Sequence, residues 1–531
     1  MISNRVKIFD TSLRDGAQGE GISLTVGDKL KIAIALDEIG IHYIEGGWPY
    51  SNPKEIEFFL KIKKLKLKNS KITAFGSTRH KDNKPENDGN LLAIVKVKPS
   101  VACIFGKTWD LHIKYVLNVT QEENLDMIFS SIKFLKSKDL EVVYDAEHFF
   151  DGYISNPKYA LKTLSVAADA GADIITLCDT NGGMLPNQIA KIINEIKIKT
   201  PLGIHAHNDS DCAVANSIVA VQSGCVLVQG TFNGWGERCG NANLSSVIPN
   251  LKLKLGIDCA CDDKLKMLTE TSRYISEVAN ILPNDKQPYT GYSAFAHKGG
   301  VHVAAVAKKA STYEHVNPSV VGNERRILIS ELSGKANILL KSQELNIDFE
   351  KNSDRVKKIL EIVKDREKKG YLYEGADGSF ELLIRRNLTE YKTFFQLGGF
   401  RVAVEKDIHG QMKSEATIKV YVEGTEELTA AEGDGPVNAL DNALRKALDK
   451  FYPQLKNVRL SDFKVRIINP SDSTGAKVRV LIQSTDGKDE WSTVGVSENI
   501  IEASWQALVD AIEYKLLKSD CTGYTEKAKI F

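Results

Sequence analysis

The chain has 531 residues, too many for one ordinary core, so two or three domains are expected. Its 70 Lys and Arg balance 69 Asp and Glu to a formal charge of +1, which argues against a nucleic-acid-binding surface or a polyacidic tail. No apolar run approaches the roughly 18 residues of a membrane span and Met1 to Asp10 carries no signal-peptide pattern, so the composition predicts a cytoplasmic protein with no membrane contact. Eight scattered cysteines fit a reducing compartment, and Cys259-Ala260-Cys261, the one close pair, lacks a second cluster at zinc-finger spacing and reads as structural.

From Val6 to about Phe232, short apolar runs recur with room for a helix between them. They are Val6 to Phe9, His42 to Gly46, Ile72 to Phe75, Val101 to Phe105, Glu141 to Ala146, Ile174 to Cys178, Leu202 to His205 and Val226 to Gly230. The intervening segments include Asp28 to Ile39, Glu123 to Leu135, Pro157 to Ala170 and Asp211 to Ser223, several of which close on a glycine. The basic run Lys61 to Lys68 reads as a solvated helix end. Eight strand-helix alternations within about 250 residues predict a (β/α)8 barrel.

Asp262 to Leu282 reads as a helix, and Phe295 to His302 as a loop or helix start in which Gly299-Gly300 lets backbone approach a ligand beside His302. Residues Glu324 to Arg386 carry charged helices such as Ser353 to Lys368. The last 140 residues or so alternate as strands at Phe400 to Val404, Ala416 to Val422, Phe463 to Ile468, Val478 to Gln483 and Trp491 to Val496. Helices at Val437 to Phe451 and Glu498 to Leu517 follow each set, which predicts a βββα unit used twice. The expected domains are a TIM barrel over 1–282, linking subdomains over 283–388 and an α+β regulatory or dimerising domain over 389–531.

In a barrel the C-terminal ends of the strands converge on one mouth. Asp15 follows strand one, Glu147 strand five, Thr180 strand six and Asn241 strand eight, while His205 and His207 end strand seven on one face. Two imidazoles and the Asp15 carboxylate suit a divalent ion with open positions. Asp145, two before Glu147, shares its strand face, where the two carboxyls can share a proton or bind Arg14.

Three segments in order, Asp10-Thr11-Ser12-Leu13-Arg14-Asp15-Gly16-Ala17-Gln18, His205-Ala206-His207-Asn208-Asp209 and Gly236-Glu237-Arg238-Cys239-Gly240-Asn241-Ala242-Asn243, resemble the signatures of the isopropylmalate, homocitrate and citramalate synthase family. Ala431 to Val437 and Val494 to Ser497 resemble that family's allosteric dimer domain, so the resemblance covers nearly the whole chain. Within the family it is strongest to the long citramalate synthases, on Leu13 to Glu20, Tyr43 to Pro49, Tyr144 to Gly152 and Ala296 to His302.

The resemblance implies a Claisen condensation of acetyl-CoA with pyruvate to (R)-citramalate, feeding isoleucine synthesis. It implies a divalent ion (Mn, Mg or Zn) on Asp15, His205, His207 and Asn241, Arg14 on the keto oxygen or carboxylate, and Thr180 on the carboxylate. Asp145 would line the side-chain pocket of the 2-oxo acid. A base must take the acetyl proton, and Glu147, or His302 with Tyr313, are the candidates. A homodimer with an amino-acid effector, isoleucine for this product, is implied as well. The alternatives are a 2-isopropylmalate synthase, a lyase running the reverse cleavage, and an amino-acid sensor that has lost catalysis.

Overall fold

Alternation of side chains along eight short strands decides both what fills the molecule's first core and what reaches its mouth. In the computed structural model, residues 5–260, 264–330, 335–345, 347, 354–387, 391, 393–406, 408–468 and 475–527 are described. Strands β1 (Lys7–Asp10), β2 (Tyr43–Gly47), β3 (Lys71–Ser77), β4 (Val101–Lys107), β5 (Glu141–Glu147), β6 (Ile174–Asp179), β7 (Leu202–Ala206) and β8 (Leu227–Gly230) form a closed barrel in sequence order. Each pairs in parallel with the next, and β8 returns to β1 with Gln229 opposite Phe9.

One parity points into the barrel. Phe9, Tyr43, Phe75, Val101, Cys103, Val143, Ile174 and Leu227 pack there as an apolar core. The other parity, including Ile8, Ile44, Ala74, Ile104, Val142, Ile175, Ile204 and Val228, packs outward with the surrounding helices. Continued toward the strand ends, the inward parity brings Glu45, Asp145, Thr176, His205 and Gln229 above the apolar core.

Local sequence starts the helices where it should. Thr25 and Asp28 make a reciprocal capping box for Val26–Ile39, as do Thr120 and Glu123 for Gln121–Lys136. Asn52 and Asn156 cap helices that open on Pro53 and Pro157. The helix expected from Asp211 begins instead at Ala213, because Asp211 sits in the left-handed region at φ 57° and Asn208 Oδ1 accepts from the Ala213 N–H.

The chain divides into two units, Met1–Phe295 with His315–Arg325, and Ala296–Glu314 with Arg326–Phe531. In the first, the helix expected over Asp262 to Leu282 runs from Leu268 to Val278 behind a 3-10 turn. Cys261, Asp262 and Ser353 lie outside the described residues. In the second, Ala296–His297 pairs with Arg326–Ile327 and a helix follows over Gly300–Lys308.

Two antiparallel sheets then appear. One is Gln396–Lys406, Met412–Val422 and Thr425–Gly433, followed by the helix Pro436–Leu448, and the other is Arg459–Ile467, Val478–Thr485 and Glu490–Ser497, followed by Ile500–Lys527. The βββα unit therefore occurs twice. Its third strand, Thr425–Gly433, is absent from the apolar pattern because none of its residues is fully buried. No helix among the described residues is long and apolar enough to cross a membrane.

Candidate active site

The turn after β1 is built to hold Asp15 still. The backbone N–H groups of Arg14, Asp15 and Gly16 all donate to the Thr11 carbonyl. The buried Asp10 carboxyl accepts from the Ser12 N–H and hydroxyl, both at 2.9 Å, and Ser12 Oγ accepts from the Phe232 N–H at 2.8 Å, which ties the loops after β1 and β8 together. Burial, opposed by these hydrogen bonds, pushes the Asp10 carboxyl up to about 7.

Asp15 meets the two histidines at the barrel mouth. Its Oδ2 lies 3.3 Å from His205 Nε2 and 3.9 Å from His207 Nε2, and ligand atoms of the three lie within 4.8 Å of one another. Asn241, bridged to His207 through the backbone, donates from Nδ2 to Asp15 Oδ2 at 2.8 Å and sits 3.2 Å from His205 Nε2. Its Oδ1 is buried without a partner. A half-turn of that amide would place a carbonyl oxygen among the other three ligand atoms, giving two nitrogens and two oxygens, a donor set that fits a divalent ion. Gly236, at φ 151°, lets the loop pass this amide, where a Cβ would come within 2.0 Å of Asn241 Oδ1.

The electrostatics hold Asp15 ionised and His207 neutral, the forms in which they bind an ion. Burial alone would raise the Asp15 carboxyl, but Arg14, His205 and His207 together hold it well below the usual carboxylate range. Burial and the neighbouring His205 push His207 down to about 4, so its imidazole is neutral near pH 7, as a metal ligand must be.

Arg14 is held from three sides. Its Nε donates to Glu45 Oε2 at 2.7 Å, its Nη1 lies 3.5 Å from Asp15 Oδ1, and its guanidinium stacks 3.7 Å from the Phe75 ring centre. The carboxylate that orients Arg14 is thus Glu45, and Asp145 and Glu147 each have other partners. Asp145 accepts from Gln229 Nε2 at 2.8 Å and from Cys103 Sγ at 3.3 Å. Glu147 pairs with Lys107.

Arg14, Asp15, Asp145, Glu147, Thr180, His205 and His207 line one cavity of about 250 Å³. Three aromatic rings close one side of it, with Trp48 edge-on to Phe75 and Phe105 at 5.7 and 5.9 Å and the latter two stacked at 5.5 Å. Thr180 Oγ1 accepts from the His148 N–H at 2.9 Å, which leaves the hydroxyl hydrogen available to an acceptor in the cavity. His302 and Tyr313 belong to the second unit, where their rings stack at 4.2 Å and Tyr313 is exposed.

Glu45, Trp48, Phe75, Phe105, Lys107 and Gln229 had no role assigned from sequence. For all but Trp48, which lies just past the end of β2, the signal was the inward parity of β2, β3, β4 and β8, since Glu45 lies two after Tyr43 and Gln229 two after Leu227.

Fold and cluster together define a (β/α)8 barrel with a site fitted to a metal ion at its mouth. Residues 5–275 match the HMGL-like family, and the chain belongs to it. Residues 289–370 match the homocitrate synthase post-HMGL domain-like family, and 374–516 the LeuA allosteric (dimerisation) domain. The chain is 57% identical over 518 residues to an (R)-citramalate synthase of Geobacter sulfurreducens, covering 97% of this chain and 98% of the relative. It is 53% identical over 526 residues to the (R)-citramalate synthase of Aquifex aeolicus, covering 98% and 100%. A 2-isopropylmalate synthase of Methanocaldococcus jannaschii is more distant, at 32% identity over 530 residues, covering 98% and 96%.

Proposed function

We propose that the chain condenses acetyl-CoA with pyruvate and hydrolyses the thioester, giving (R)-citramalate and CoA. The observation that carries this reading is the Asp15, His205, His207 and Asn241 cluster beside a fixed guanidinium in a small cavity walled by aromatic rings. The near full-length likeness to (R)-citramalate synthases supports the choice of acceptor.

A divalent ion bound by the four residues would supply a Lewis acid for the 2-oxo group. Arg14, with Nε committed to Glu45, offers its remaining N–H groups to the 2-oxo oxygen, a contact that strengthens as that oxygen gains charge. Thr180 donates its free hydroxyl hydrogen to the pyruvate carboxylate. Trp48, Phe75 and Phe105 supply the aromatic wall against which the acceptor's methyl group packs. Glu147 takes a proton from the acetyl methyl, whose carbon then bonds to C2 of pyruvate, and water cleaves the thioester to release CoA. His302 and Tyr313 are the alternative proton acceptors.

The chain acts as a homodimer through the LeuA-type domain, in the cytoplasm, with isoleucine as the effector that fits this product.

The test is CoA release from acetyl-CoA with pyruvate, 2-oxobutyrate, 2-oxoisovalerate and 2-oxoglutarate, with and without a chelator. Turnover is expected with pyruvate above the others and is expected to be lost on chelation. Preference for 2-oxoisovalerate would make the chain a 2-isopropylmalate synthase, and no turnover with any acid would leave an amino-acid sensor.

A further inference from the structure

His205 can serve as a ligand through Nε2 only if its proton sits on Nδ1. In the barrel interior that tautomer is set by a neighbour. His205 Nδ1 lies 2.8 Å from Gln229 Oε1, on the adjacent strand β8. An amide end can face His205 with its oxygen or with its nitrogen, and the second choice would reverse the tautomer.

The other end of the amide decides the matter. Gln229 Nε2 is 2.8 Å from Asp145 Oδ1 and 3.2 Å from Thr176 Oγ1, and Gln229 and Thr176 are fully buried. Burial raises the Asp145 carboxyl, while His205, the hydrogen bonds from Cys103 and Gln229, and Arg14 favour its charged form. As a carboxylate it only accepts, so the Gln229 NH2 group faces Asp145 and its carbonyl faces His205. The second Asp145 oxygen is taken up by the Cys103 thiol at 3.3 Å, which fixes the carboxylate in turn.

We propose that Asp145 and Gln229 are positioning residues that act in series on His205. Asp145 locks the orientation of the Gln229 amide, and that amide holds the His205 proton on Nδ1 and the Nε2 lone pair toward Asp15 and His207. Asp145 therefore acts on the ion's affinity, although it borders the cavity where the acceptor's side chain would lie. The inference rests on the metal reading of the site. Partners one step behind a metal-binding histidine are worth about 10–100-fold in metal affinity.

The experiment measures the Mn2+ dissociation constant of the full chain by competition with a fluorescent chelator, with thermal unfolding of each metal-free protein as the control for folding. Gln229→Leu is expected to weaken Mn2+ binding about 10–100-fold, and Asp145→Leu to follow in the same direction. Asp145→Asn, whose amide can present either a donor or an acceptor to Gln229, loosens the lock and is expected to bind Mn2+ with an affinity between those of the unmutated protein and Asp145→Leu. The double variant Gln229→Leu/Asp145→Leu is expected to be no weaker than Gln229→Leu alone, because the two residues act through one chain.

Mn2+ binding within about twofold of the unmutated protein in folded Gln229→Leu would overturn the inference. So would full additivity of the two Leu variants, or Mn2+ binding in folded Asp145→Leu within about twofold of the unmutated protein. Should Gln229→Leu not fold, Gln229→Met gives the same comparison with a more adaptable side chain. An unmutated protein that binds no Mn2+ removes the metal site itself, a different result from unchanged binding in the variants.

Discussion

Replacing Glu45 by Gln tests the claim that this carboxylate aims Arg14 at the substrate. Glu45 is fully buried, its Oε2 receives the Arg14 Nε–H at 2.7 Å and its Oε1 has no hydrogen-bond partner. Burial, opposed by Arg14, pushes its carboxyl up to about 7, so the pair is held together against a desolvation cost. A hydrogen bond to a charged group contributes about 1.5–3 kcal/mol and a neutral one about 0.5–1.5 kcal/mol. Gln keeps the shape and one acceptor for the charged guanidinium but removes the charge-charge attraction. The bond moves from the strong to the weak end of the range for charged groups, a loss of about 1.5 kcal/mol or roughly tenfold in rate. Steady-state CoA release should show kcat/KM for pyruvate falling about tenfold with the fold intact. Glu45→Ala, which leaves the guanidinium without this partner, should destabilise the barrel by about 3–5 kcal/mol. A folded Glu45→Gln enzyme within twofold of the original would refute the assignment.

Glu147→Gln should lower kcat by about a hundredfold or more while Mn2+ affinity holds, because a general base contributes about 10²–10⁴. Retained activity there, with loss in Tyr313→Phe or His302→Ala, would move the base to the second unit. Lys29→Met should cost about 3–5 kcal/mol by urea unfolding, since Lys29 Nζ donates to both Glu55 oxygens at 2.8 and 2.7 Å in a buried pair, and the double change to Met and Leu should recover most of it. An equally stable single variant would count against that pairing.

Asp10 carries a sign. Its folded value is raised to about 7 from 3.8, so its stabilising contribution is complete below about 4 and is lost as pH rises through about 7. The unfolding free energy of Asp10→Asn should therefore fall less between pH 5 and 8 than that of the original chain. Parallel pH profiles would contradict this.

Much of the barrel was legible because its signals are local. Apolar runs recurring at helix-length intervals, Pro157 opening a helix and glycine at helix ends are each written within a few residues. His205 and His207 could be placed on one face for the same reason. What escaped the sequence depends on packing between strands. Phe105 stands opposite Asp145 in the β4–β5 register, and His205 opposite Gln229 in β7–β8, and neither pairing is encoded near either residue. That is why Asp145 was placed against Glu147 and Arg14, its neighbours in parity or motif, when its hydrogen bonds go to Gln229 and Cys103. The strand Thr425–Gly433 escaped for another reason, since a strand half-buried on one face and exposed on the other, with Thr and Glu throughout, has little apolar contrast to read.

The central claim is the acceptor, and the most direct measurement gives the chain a choice. Limiting acetyl-CoA, with equal pyruvate and 2-oxoisovalerate and added Mn2+, should yield (R)-citramalate as the main product by chiral chromatography. 2-Isopropylmalate as the main product, or citramalate of the opposite hand, would contradict the account.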